Sequence, residues 1–194
     1  VFKLLGRGKK LPILIYHQVL PDVDIMRPFE PTAAEFEGQM AAIKKHMTPL
    51  SLQDGIKRLK ENTLPSDAIA VTFDDGYENN YSVALPILQK YRIPATVFIA
   101  SDFLDGGIMW NDQVLETFRT LTPGTYDFTE IGIKQVSFSN DEERFPAASK
   151  ILDQLKHLPF EKRAQAVKTI TKDTLLPKNL MLTTEQVKSL HEKG

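Results

Sequence analysis

The chain has 194 residues, 42% hydrophobic and 25% charged, the make-up of an ordinary soluble globular domain with room for a real core. A formal net charge of −1 gives no field to draw nucleic acid or anionic lipid. The absence of cysteine excludes disulfides, thiolate–zinc sites and a cysteine nucleophile. No stretch has the length of a membrane span and no signal-peptide pattern is present.

The basic run from Lys3 to Lys10 reads as a solvated N-terminal arm over 1–10, or as the remnant of a linker behind a removed export or anchor segment. Leu11-Pro12-Ile13-Leu14-Ile15-Tyr16 reads as a short buried strand, with His17 directly after it. Thr32 and Glu35 form a capping box, and Phe36, Met40, Ile43 and Met47 continue at helical spacing. Thr48-Pro49-Leu50 is a brief extended piece. Ser51 opens a second helix to about Glu61, with Leu52, Ile56 and Leu59 on its inner face. Ala68-Ile69-Ala70-Val71-Thr72 is a buried strand, Tyr81 to Tyr91 a helix that tolerates Pro86 near its first turn, and Pro94 to Ala100 another buried strand. This alternation predicts a parallel α/β core, with sites at the carboxyl ends of its strands.

After about Gly106 the character changes. Asn111 to Leu121 reads as a helix, Thr125 to Phe138 as a small hairpin around Gly132, and Pro146 to Leu158 and Phe160 to Thr174 as amphipathic helices. Residues 105–178 are expected to be an insertion or lid. Thr183 and Gln186 cap a last helix, with Gly194 where a helix C-terminal glycine belongs.

The chemistry concentrates in Phe73-Asp74-Asp75-Gly76-Tyr77-Glu78. Two adjacent carboxylates stand where a core strand ends. Side chains alternate along a strand, so both can face one pocket only if the backbone turns between them, which Gly76 permits. Like charges this close raise at least one pKa unless a cation or donors hold the pair ionised. A metal site or an acid–base pair follows; an ordinary Asp-Gly turn is the bland alternative.

Val71-Thr72-Phe73-Asp74-Asp75-Gly76-Tyr77 resembles the first motif of the polysaccharide deacetylases, the NodB-homology or carbohydrate esterase family 4 group. Leu14-Ile15-Tyr16-His17-Gln18-Val19 resembles that family's first strand, and Arg92 to Ile99 the strand after the motif helix. Met181-Leu182-Thr183 and the helix to Gly194 resemble the lead into its second motif. The likeness covers roughly 11–110 and 181–194. It implies the N-terminal part of a distorted (β/α) barrel over 11–194, with the mixed α/β insertion. It implies a divalent metal, usually zinc, and removal of N-acetyl, sometimes O-acetyl, groups from a polysaccharide. Carried over, Asp74 looks like the general base and Asp75 the metal ligand. A metal lowers the pKa of its bound water and polarises the amide, while a second carboxylate stays free to take a proton.

The family's metal histidines belong to a motif after the last helix, so the chain is expected to stop before them and to be inactive alone. His46, His157 and His191 are read as structural histidines at helix ends. His17 is read as a group lining the site, either touching substrate or supporting it, with a satisfied core histidine as its rival; Tyr77 and Trp110 join it as candidates. The expected partner is a polysaccharide or oligosaccharide, and the expected location is exported or in a bacterial cell envelope, with the cytoplasm open. Two rivals stand beside this reading: a non-catalytic fragment or pseudoenzyme binding glycan or a protein, and an aspartyl phosphotransferase. The second suits poorly, because those enzymes separate their aspartates by one residue.

Overall fold

The computed structural model describes residues 9–193, so most of the N-terminal arm and Gly194 lie outside the described residues. The chain divides into two compact units. Among the described residues, one comprises 9–22, Glu30–Leu104 and 182–193; the other comprises Val23–Phe29 and Asp105–Met181.

The first unit is built on β3 (Ala68–Phe73), buried along its whole length as its apolar run demands. One edge pairs in parallel with β1 (Ile13–Tyr16). The other edge is shared by β2 (Thr48–Pro49) against its first residues and β4 (Ala95–Val97) against its last, both parallel. Between them run α1 (Ala33–His46), α2 (Leu52–Lys60) and α3 (Leu85–Tyr91), with α7 (Thr184–Lys193) following in this unit. The result is α/β, as the alternation predicts; among the described residues the sheet is open, not a closed barrel.

Thr32 caps α1 through the predicted box: its hydroxyl accepts from the Glu35 N–H at 3.3 Å, and Glu35 Oε2 accepts from the Thr32 N–H at 2.8 Å. Phe36, Met40 and Ile43 pack with Ile69, Val71 and Phe73 into the core, and the Tyr16 ring lies edge-on to Phe36 and stacked on Phe73. Truncating Phe36 or Phe73 to alanine in such packing costs about 3–5 kcal/mol.

Two strands read as buried are not. Ile13 and Ile15 of β1 are exposed, Ile15 at 61%, and β4 is only three residues long, with Phe98 beyond it 50% exposed. Leu14, Tyr16, Ala95 and Val97 pack into the core under the helices, while Ile13 and Ile15 alternate to the opposite face of β1, which lies at the sheet's edge and stands exposed. On α2 the inner face is also displaced. Ile56 is exposed and Gly55 is buried, because the Leu11 side chain presses where a Gly55 Cβ would stand, 2.7 Å away.

The second unit has its own core of Val114, Phe118, Ile133, Phe138, Ile151 and Val167, among others. It holds α4 (Trp110–Thr120), an antiparallel hairpin of β5 (Gly124–Tyr126) and β6 (Val136–Phe138), α5 (Asp141–Lys156) and α6 (Phe160–Ile170). Gly132 takes a positive φ of 76° in the hairpin turn. Helix α5 begins before Pro146, where the sequence reading started it. The Asn140 side chain caps the Glu143 N–H, and Asp141, Glu142 and Glu143 favour the helix's positive end, so the proline sits inside the helix.

Candidate active site

Strand β3 delivers Asp74 and Asp75 at its carboxyl end, both half-buried. The Asp74 N–H donates to Tyr16 O at 2.8 Å, which ties the pair to β1. The Gly76 N–H then donates back to Asp74 O at 2.9 Å, closing a three-residue turn around Asp75, whose φ is +70°. Thus the chain bends one residue earlier than the sequence reading put it. Gly76 continues the bend with φ +79°. A non-glycine residue held this way costs about 1–3 kcal/mol and persists only when its surroundings over-determine it. They do here: Asp75 O accepts from the Ala100 N–H and Gly76 O from the Leu182 N–H, each at 3.0 Å.

His17 lies one step past the Tyr16–Phe73 register pair, and so beside Asp74 at the same end of the sheet. It is exposed, which removes the core-histidine alternative. Tyr77 is 3% exposed, a core group under the turn rather than a surface for a sugar. Trp110 belongs to the second unit, where it opens α4 with the Arg163 guanidinium 5.0 Å from its ring centre. His46, His157 and His191 all lie exposed at helix ends. Among the described residues no three His, Asp or Glu side chains converge in a way that could hold a metal, so the residues present do not by themselves fit one. A cavity of about 790 Å³ runs along α3, β4 and α7, lined mainly by apolar residues such as Leu88, Val97 and Leu190; neither aspartate reaches it.

A polar group around the end of β1 escapes sequence reasoning. Asn80 Nδ2 donates to His17 O at 2.9 Å, and Asn79 Nδ2 donates to Gln18 Oε1 at 3.0 Å. Both asparagines begin the motif helix, where an Asn pair looks like capping. Nothing local reveals that their partners lie on another strand. The helix itself opens with a wide turn, Asn80–Ala84, in which the Leu85 N–H bonds five residues back to Asn80 O; Pro86 follows, with no N–H to continue the ordinary pattern.

The sequence around this turn, residues 61–119, matches the family model described as polysaccharide deacetylase. The chain is similar to YxkH of Bacillus subtilis (strain 168), provisionally named a polysaccharide deacetylase, at 35% identity over 92 residues, 46% of this chain and 32% of that protein. It is also similar to the poly-β-1,6-N-acetyl-D-glucosamine N-deacetylase of Staphylococcus epidermidis (strain RP62A), at 28% identity over 127 residues, 62% of this chain and 43% of that one. The chain therefore spans less than half the length of these curated relatives. Among solved structures, IcaB from Ammonifex degensii aligns over 96% of this chain and 97% of that chain, at 19% identity and a TM-score of 0.45.

Proposed function

We propose that this chain supplies the aspartate half of the active site of a polysaccharide N-deacetylase, as the N-terminal part of its catalytic domain. The observation that carries the reading is the Asp74–Asp75 pair, fixed by a tied, positive-φ turn at the end of a buried strand, inside the stretch that matches the family. Hydrolysis of an N-acetyl group adds water oxygen to the carbonyl carbon, breaks the C–N bond and releases acetate and a free amine. Asp74 takes the proton from the attacking water; a half-buried carboxylate on a fixed backbone is suited to that task.

Asp75 is the carboxylate we assign to a divalent metal, zinc by family resemblance. The described residues do not by themselves complete a ligand set for it. His17, exposed beside Asp74, is assigned to the substrate, Tyr77 to support beneath the turn, and Trp110 to a glycan edge. Residues 105–178 are assigned as an insertion or lid. The substrate class follows the staphylococcal relative: an N-acetylglucosamine polymer, which points to a bacterial cell envelope. Among the described residues no helix is long and apolar enough to cross a membrane. The test is acetate release from N-acetylglucosamine oligomers by the full-length protein and its Asp74→Asn variant. Glycan binding without acetate release would favour the non-catalytic reading.

A further inference from the structure

The backbone that carries His17 past the end of β1 is tied at four consecutive positions. Tyr16 O accepts from the Asp74 N–H at 2.8 Å, and His17 O accepts from Asn80 Nδ2 at 2.9 Å. The Gln18 N–H donates to Glu30 Oε2 at 3.2 Å, and the Val19 N–H donates to Asn79 Oδ1 at 3.4 Å. Two of these four ties are side chains that follow the aspartate turn on the same segment. The Asp motif and the His17 segment therefore hold each other twice, through the sheet and through the asparagines.

Asn80 is the more telling of the pair. It is 2% exposed, and its Oδ1 is buried with no hydrogen-bond partner. An unpaired buried acceptor costs about 1–3 kcal/mol. It stands in the cavity wall with apolar side chains such as Phe73, Leu85 and Ile99. The bond that Asn80 Nδ2 donates to His17 O gives an asparagine at this buried position a role.

We propose that Asn80 is a positioning residue, which fixes the His17 segment against the Asp74–Asp75 turn. Its effect on chemistry rests on the deacetylase reading above; the clamp itself rests on geometry alone. Misplacing a reacting group by about 1 Å can cost about 100-fold in rate.

The test is Asn80→Leu, which removes the donor and the orphaned acceptor together. The full-length variant should unfold at or above the wild-type temperature, lose about 100-fold in kcat for acetate release, and keep KM within about twofold. In the same variant the Gln18 and Val19 amides should exchange faster with solvent while β3 amides stay protected. Should Asn80→Leu not fold, Asn80→Ala is read by the same exchange. Wild-type kcat with a lowered melting temperature would overturn the proposal, as would unchanged exchange at Gln18 and Val19. If the wild type itself releases no acetate, the deacetylase reading fails, and amide exchange still decides the clamp.

Discussion

Asp75 and Gly76 take positive φ in succession, and only one of them is glycine. A methyl group on Gly76 would stand 3.4 Å from the Ile99 side chain while the backbone stayed in the left-handed region. Gly76→Ala should therefore cost about 1–2 kcal/mol, read as a lower urea midpoint. A wild-type midpoint would show that the turn relaxes without cost. Asp75 is not a glycine although glycine suits its φ; aspartate is among the few other residues that tolerate the left-handed region. The sequence announced the two aspartates and the need for a bend. It did not say that Asp75 itself carries the bend, because positive φ in a non-glycine residue comes from ties to Tyr16, Ala100 and Leu182 on distant segments.

At the scale of elements, local signals were legible wherever a side chain bonds its own helix. The Thr32 and Thr183 boxes and the Ser51 cap stand where the sequence put them. Burial of β1 and β4 was misread, since apolar composition does not say which face of a sheet is covered. The segment Val23–Phe29 was also silent. Its Arg27 is buried in the second unit, bonding Glu116 at 2.8 Å, Asp112 at 3.0 Å and Asp24 at 3.3 Å. Arg119 bonds Asp24 at 2.7 Å and Glu116 at 2.9 Å. Arg27–Asp24 and Arg119–Glu116 are three residues apart, but the other three pairs span 85 to 95 residues, beyond any local pattern. Arg27→Met removes a cation from among three carboxylates and should destabilise the second unit by about 3 kcal/mol. Chemical denaturation of wild type and variant measures this; an unchanged midpoint would mean that the network contributes nothing net.

Across the whole molecule, the same network contributes to the response to acid. Burial pushes the Asp24 carboxyl up, but hydrogen bonds from Arg119 and the Met26 N–H, with the charges of Arg119 and Arg27, outweigh it and leave its pKa below the ordinary 3.8. The group is charged in the folded state at pH values where the unfolded chain takes a proton. Its contribution is fully present above about 3.8 and is lost as pH falls through the lowered folded value. Melting temperatures taken from pH 6 down to pH 2 should fall at the acid end, and Asp24→Asn should flatten that fall. An identical acid profile in the variant would contradict the assignment.

The most direct test of the aspartate pair is acetate release from N-acetylglucosamine oligomers by full-length wild type and Asp74→Asn, with melting temperature measured alongside. The exchange keeps the shape of the side chain and removes the base. Loss of at least about 100-fold in turnover with an unchanged melting temperature is the predicted result. Near wild-type acetate release by the variant, or none by the wild type, would contradict it.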